Sequence, residues 1–379
     1  MNRPLKIFVD AHCFDGGFQG SRTFIKGLYG AAILPVDWDV YLGACDVETL
    51  KREFPSLPPG HIIRYRTKNT FFRLVFEIPF ILRKHKFDFS HFQYVSPVLN
   101  YCKYIVTTHD ILFEEFPEDF PFYYRIMRSF LFRTCLRNAS VRTTPSSYCR
   151  DRISQLYRIP ATSLSIVPNG VNNTFSPGGG CRHEAVRFIH RKYGVRDYIL
   201  CVNRIEPRKN HELLLESFLK LELYKKEISL VFIGASAFRC RVFLKQLASL
   251  PPAIKRFVSY YPYISQEDLV PFYRAARLFV YPSKAEGFGI PPLEAAALGA
   301  PVLCADTTAM SAYAFFGDNL FDPADHARFR RKLLCNLATG PDEKELCRIS
   351  AVVRERYSWD KSRDLLRQAL EARVQPTVA

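Results

Sequence analysis

The stretch Glu286-Gly-Phe-Gly-Ile-Pro-Pro-Leu-Glu294 decides how this chain reads. Two carboxylates stand eight positions apart, separated by two glycines and then a Pro-Pro pair that favours a helix start. The apolar run Leu278-Phe-Val-Tyr281 precedes them and reads as a buried strand. The predicted order is strand, glycine loop, helix N-terminus. Such a loop presents unpaired backbone N–H groups and the positive end of a helix dipole to whatever it holds. Carboxylates beside it suit a ligand with both anionic groups and hydroxyls, as a nucleotide-sugar has. An ordinary strand-to-helix turn with a capping Glu would use the same letters.

A second cluster has the same grammar. Tyr198-Ile-Leu-Cys-Val202 reads as a buried strand, and Asn203-Arg204-Ile-Glu-Pro-Arg208-Lys209-Asn210 follows it. A helical pattern, His211-Glu-Leu-Leu-Leu-Glu-Ser-Phe218, comes next. Arg204 and Lys209 are thus expected at a strand end and a helix start, where a guanidinium fork and an ammonium can clamp a diphosphate. A solvated basic turn is the plainer alternative. In open parallel sheets, ligands bind outside the carboxyl ends of strands, so two such loops with complementary chemistry reinforce each other.

With these residues in view, the sequence resembles the retaining glycosyltransferases of the group 1 family (glycosyltransferase family four), with a mannosyltransferase-like character. The similarity runs along nearly the whole chain. It takes in Phe8-Val-Asp10, Gly16-Gly17-Phe-Gln-Gly20, Asp88-Phe-Ser-His91, Thr107-Thr-His109-Asp110-Ile111, Thr144-Pro-Ser146-Ser147, Ile166-Val-Pro-Asn169-Gly170-Val171 and Tyr357-Ser-Trp359, besides the two clusters above. The Glu-x7-Glu segment is its most specific part. The resemblance implies a GT-B fold: α/β, two Rossmann-like parallel-sheet domains facing each other across a cleft. It implies catalytic roles for His109, Asp110 and Glu286. It implies donor contacts from Gly17, Gly20, Arg204, Lys209, the amides of Phe288, Gly289 and Ile290, and Glu294 on the ribose. The implied reaction moves a sugar, mannose from GDP-mannose as the first choice, from a nucleotide-diphospho-sugar to a saccharide or lipid-linked saccharide in surface polysaccharide assembly. A UDP- or dTDP-sugar is the alternative donor. No cofactor beyond the donor substrate is implied, and no metal, since Arg204, Lys209 and helix N-termini can neutralise the leaving diphosphate.

Composition is compatible with this. At 379 residues and 48% hydrophobic content, the chain suits two cores better than one. Lys6-Ile-Phe-Val9 is too short for the apolar part of a signal peptide, and no apolar run reaches membrane-spanning length. The 11 cysteines are scattered and include no Cys-x-x-Cys pair, as expected of reduced thiols. The expected location is cytoplasmic, with a peripheral place on the inner face of the membrane as the alternative. The sequons Asn138-Ala-Ser140 and Asn172-Asn-Thr174 then carry no meaning.

Strand-like runs are predicted at Lys6–Asp10, Val40–Leu42, Ile62–Tyr65, Tyr104–Thr107, Ser140–Thr143 and Ser165–Val167, then near Ile199, Leu230, Phe257, Phe279 and Val302. Helical patterns between them imply parallel sheets. Pro177-Gly-Gly-Gly180 reads as the linker. The expected domains are residues 1–177, joined by a crossover helix at about 358–374, and residues 181–357.

The formal charge is +16. Two stretches are both basic and aromatic. Residues 51–100 hold nine Lys or Arg against three acids, and Phe122-Tyr-Tyr-Arg125-Ile-Met-Arg128-Ser-Phe-Leu-Phe-Arg133-Thr-Cys-Leu-Arg137 holds four arginines. A core-facing helix with a solvated basic face explains such a segment, and so does a helix lying on an anionic membrane. No nucleic-acid motif accompanies the charge, so no nucleic-acid partner is expected. Asp37-Trp-Asp39 is read as a turn rather than a metal site, and no His/Cys cluster has zinc spacing.

Two departures from the family pattern stand out. Asn203 occupies the position where the family usually has Gly before the diphosphate Arg. Met310-Ser-Ala-Tyr-Ala314 lacks a carboxylate the family often carries. A catalytically silent relative acting as a scaffold therefore stays open as an alternative. An epimerase, a phosphorylase and a secreted two-domain binding protein are each opposed by a missing signature.

Overall fold

The computed structural model describes residues 3–16, 20–30, 34–175, 180–236 and 241–374. It divides into two units, Met1–Gly170 with Trp359–Ala379, and Val171–Ser358. The linker predicted at Pro177–Gly180 lies outside the described residues except for Gly180 itself.

The first unit contains β1 (Leu5–Asp10), β2 (Trp38–Ala44), β3 (Ile62–Arg64), β4 (Phe89–Gln93), β5 (Lys103–Thr107), β6 (Val141–Thr144) and β7 (Leu164–Ile166). They form one parallel sheet in the order β3-β2-β1-β4-β5-β6-β7. Strand β4 escaped the sequence reading because Phe89-Ser-His-Phe-Gln is not an apolar run, yet all five residues are buried. Its polar groups are satisfied sideways: His91 shares short hydrogen bonds with Tyr29 Oη and Thr107 Oγ1, both at 2.6 Å. Buried polar groups so partnered carry no desolvation penalty large enough to expel the strand.

The second unit contains β8 (Tyr198–Val202), β9 (Ser229–Ile233), β10 (Val258–Tyr261), β11 (Leu278–Tyr281), β12 (Val302–Ala305) and β13 (Leu320–Phe321). Their order is β10-β9-β8-β11-β12-β13, again all parallel. Both sheets reverse their winding once, between β1 and β4 and between β8 and β11, and such switch points open crevices at the strand carboxyl ends.

The helix Trp359–Val374 belongs to the first unit. Trp359, Leu366 and Leu370 enter its core with Ile7, Val9, Phe24, Ile105 and Val141. Glycine makes this docking sterically feasible. A Cβ at Gly27 would lie 2.0 Å from the Trp359 ring, and one at Gly170 would lie 2.6 Å from the Trp359 backbone nitrogen. Arg363 donates to the Gly27 carbonyl and Ser362 to that of Pro168, both at 2.7 Å.

Candidate active site

In the second unit, the loops after β8 and β11 meet at the switch point. After β8 the chain makes a short 3-10 turn, Pro207–Lys209, and leaves it through Asn210 at φ +57°, a left-handed value that asparagine tolerates better than most residues. The loop after β11 is tied to this turn: the Lys284 amide donates to the Arg208 carbonyl at 2.9 Å. Together they bury Glu286, whose Oε1 accepts from Lys209 Nζ at 2.5 Å and from Tyr281 Oη at 2.7 Å. Arg208 stands 3.6 Å from the other oxygen and also donates to the Ala285 carbonyl. Burial alone would raise the Glu286 pKa. The charges of Lys209 and Arg208, with the two hydrogen bonds, outweigh it and hold the value at about 2. The carboxylate is therefore ionised and locked in place.

The rest of the loop is fixed from behind. Gly289 has φ +88°, a left-handed value that favours glycine, and a Cβ there would press on Met310 Cγ at 3.1 Å. Tyr313 Oη lies 2.6 Å from the Phe288 carbonyl oxygen and 3.2 Å from that of Gly289. The helix Ile290–Ala297 starts directly after, with prolines in its first turn. Among the described residues, the amides of Phe288, Gly289 and Ile290 donate to no backbone acceptor, and they sit at the positive end of that helix. The segment Met310–Ala314, where a family carboxylate is missing, instead supplies Met310 and Tyr313 as packing and pins for this loop.

Glu294 is separate from the cation cluster. Its Oε2 accepts from Tyr273 Oη at 2.8 Å, and burial pushes its pKa up to about 7. Arg204 is exposed, contacts neither carboxylate and has no side-chain partner among the described residues. The cation pair read from sequence therefore divides its labour: Lys209 faces Glu286, while Arg204 stands free. Arg208, Tyr281, Tyr273 and Tyr313 were missed. Arg208 is one letter of a basic turn, and nothing in its spacing signals that a 3-10 turn aims it at Glu286. Asn203, at the usual glycine position, has a counterpart across the sheet. Gly234 lets the two backbones meet, since a Cβ there would lie 2.0 Å from the Asn203 carbonyl oxygen.

In the first unit, His109 and Asp110 follow β5. His109 Nε2 and Gln93 Oε1 are 2.6 Å apart, so the ring donates from Nε2, and it packs edge-on to Phe24 at 4.8 Å. Burial lowers its pKa to about 4, which keeps the imidazole neutral near pH 7. Asp110 accepts from Tyr94 Oη at 3.3 Å and from the Leu112 amide at 3.2 Å. Gly20 begins the helix Gly20–Tyr29, with open space where a Cβ would be. Gly17 lies outside the described residues.

Known proteins supply the remaining comparison. Residues 183–345 match the family model described as Glycosyl transferases group 1, and residues 37–175 the model described as Glycosyltransferase Family 4. The O-antigen chain mannosyltransferase B of Escherichia coli is 28% identical over 260 residues, 68% of this chain and 67% of that protein. The serotype-specific mannosyltransferase WbdA of Escherichia coli is 28% identical over 46% of this chain, which spans only 22% of that longer relative. Among solved structures, Anabaena Alr3699/HepE in complex with UDP superposes with a TM-score of 0.73 at 16% identity, over 97% of this chain and 100% of its own. Two parallel-sheet Rossmann-like units are the GT-B architecture, and with glycosyltransferase models matching both of them, the chain belongs to the group 1, family four glycosyltransferases.

Proposed function

We propose that this glycosyltransferase moves a mannosyl group from GDP-mannose to a saccharide acceptor during surface polysaccharide assembly, with retention of anomeric configuration and without a metal. The observation that carries the reading is the ionised Glu286, held at the β8/β11 switch point beside the amides of residues 288–290, which donate to no backbone acceptor among the described residues. The mannosyltransferase names of the relatives in Escherichia coli favour the sugar.

In this reading the amides and Arg204 receive the diphosphate. Lys209 has three N–H donors, and one is taken by Glu286. It serves both the carboxylate and the leaving group. Glu286 accepts hydrogen bonds from donor-sugar hydroxyls, and Glu294 from the ribose. His109, neutral, orients hydroxyls rather than delivering a proton. The bond from the anomeric carbon to the phosphate oxygen breaks while the acceptor oxygen bonds the same face, and the acceptor's proton passes to the departing phosphate. Charge grows on the diphosphate as this happens, so Arg204 and Lys209 act chiefly on turnover.

A calorimetric donor panel tests the reading: GDP-mannose, UDP-glucose, UDP-N-acetylglucosamine, dTDP-rhamnose and the free diphosphates, with the wild-type chain and Arg204→Ala. UDP-sugars belong in it because the HepE structure holds UDP. Selective binding of GDP-mannose, weakened in the variant, is expected. Binding of a different nucleotide would replace the donor. No binding at all would put the silent-scaffold alternative first.

A further inference from the structure

Two segments of the first unit leave apolar faces in solvent that its folding does not use. The first joins β3 to β4. It runs as the helical turn Thr70–Phe72, a π-turn Arg73–Glu77 and the helix Ile78–His85. The i→i+5 repeat of the π-turn lengthens one turn of helix. Arg73 is thereby rolled inward beside Asp10, at 3.8 Å, and phenylalanines are rolled out. Phe71 and Phe76, five residues apart, come within 6.4 Å, and Phe72 and Phe76 within 5.9 Å. All three are exposed, and Phe80 continues the plate at 66% exposure.

The second segment is the helix Phe122–Asn138, joining β5 to β6. Its exposed residues Phe122, Tyr123, Ile126, Met127 and Phe130 recur at i, i+1, i+4, i+5 and i+8, which is one helical stripe. Its opposite side, Phe132, Cys135 and Leu136, enters the core with Val106. The helix Ile78–His85 packs on Phe92 and Tyr104. Tyr104 and Val106 are two apart on β5, so both segments cover the same face of the sheet. Both run back from strand carboxyl ends, being crossovers between parallel strands. Their apolar halves therefore lie toward the carboxyl-end edge, where His109 also sits.

Charge identifies the occupant. Arg64, Arg66 and Lys68 precede the first plate and Arg83, Lys84 and Lys86 follow it, all exposed. The only acid from 64 to 86 is Glu77, half-buried and accepting from the Arg66 amide. The helix Phe122–Asn138 has four arginines and no acid, with Glu118 and Asp119 in the turn before it. A second copy meeting this face across a two-fold axis would set basic groups against basic groups. A bilayer with anionic headgroups meets both requirements, taking up rings at the interface and pairing with the cations.

We infer that this two-segment face docks the chain on an anionic lipid bilayer, the phenylalanine plate and the Phe122–Phe130 stripe entering the interface. The inference stands on the surface alone and does not depend on which sugar is transferred.

Vesicle flotation of the full chain tests it, using phosphatidylcholine with and without phosphatidylglycerol. The expected result is flotation with the anionic vesicles only, weakened by salt. In Arg83→Gln/Lys84→Gln/Lys86→Gln, partitioning should drop by about fivefold per charge, roughly a hundredfold together. Phe72→Ser/Phe76→Ser/Phe80→Ser should lose roughly tenfold or more. All of these side chains are exposed, so both variants should keep the wild-type circular dichroism and melting temperature. The inference is overturned if the wild type stays with the unbound fraction, or if neither folded variant loses partitioning. It is also overturned if light scattering shows a dimer that the serine variant dissolves without any vesicle binding, or if the chain retains a DNA duplex but not vesicles.

Discussion

The polar centre of the second unit and that of the first are built on opposite electrostatic plans. Around Glu286, opposite charges stand in contact: two carboxylates, Glu286 and the half-buried Glu206, with one ammonium and one guanidinium, and Tyr281 completes the set. Around His109, burial removes charge, leaving a neutral ring on a neutral amide. The first plan requires its partners to be present together. The second requires only that the groups stay uncharged. In the proposed reaction the first plan suits a diphosphate, which calls for fixed charge, and the second suits hydroxyls, which neutral donors and acceptors can meet.

The largest test of the contrast is Lys209→Ala. It leaves Glu286 buried with only the more distant Arg208, and breaking a buried pair costs about 3–5 kcal/mol. Both the denaturation midpoint and turnover should fall. A variant with unchanged stability would show that Arg208 alone neutralises the carboxylate.

The histidines sharpen it next. Burial lowers His91 to about 3, His109 to about 4 and His211 to about 3. Unfolded histidine titrates near 6.5, so the unfolded chain binds more protons between about 6.5 and 3. Stability should be full above that window and decline as pH falls through it. Urea titrations across the range check this, and His91 and His109 should stay neutral in NMR spectra at pH 5. Positive rings at that pH would refute the neutral plan for the first unit.

Gly289→Ala comes third. Its positive φ and the Met310 contact predict a loss of about 1–3 kcal/mol, together with weakened donor binding. Glu294→Gln is smaller and has the opposite pH signature. Glu294 titrates near 7 when folded and near its ordinary value when unfolded, so the folded state binds the extra proton between those limits. Wild-type stability should therefore lose this contribution as pH rises from about 4.5 to 7, and the variant should not. Arg204→Ala should do least to stability, within about 0.5 kcal/mol, because the side chain is exposed and unpartnered among the described residues. Its effect should fall on turnover, at about a hundredfold. A large melting shift would mean that Arg204 has a structural role.

The two plans also differ in how far they could be read from letters. Glu286, Glu294, Gly289 and the strands β8 and β11 were legible because apolar runs, glycines and carboxylates follow one another in order. The alternation of strands and helices announced parallel sheets, and Trp359 at the head of the last helix was placed correctly. What stayed hidden depends on side-chain direction. Arg208 and Lys209 are adjacent letters in one basic turn, and both reach Glu286 only because of a 3-10 turn closed by Asn210. Tyr273, Tyr281 and Tyr313 look like core tyrosines, and their hydroxyls reveal themselves only in contact with Glu294, Glu286 and the Phe288 carbonyl. Strand β4 was missed because its polar residues find partners on other strands and on Tyr29, an arrangement with no local signature.

The Trp359 wedge also bears on how the molecule is made. The first unit closes its core with Trp359, Leu366 and Leu370, which emerge from the ribosome after every residue of the second unit. The second unit is one continuous stretch, Val171–Ser358, and can close as soon as it is synthesised. Domains usually mature in the order of translation. Here that order is inverted: the unit begun first is sealed last, and until then the faces of Gly27 and Gly170 lie bare of the tryptophan they are shaped to receive. A chain truncated just before Trp359 should thus present a finished second unit and an unsealed first one to the cell's chaperones.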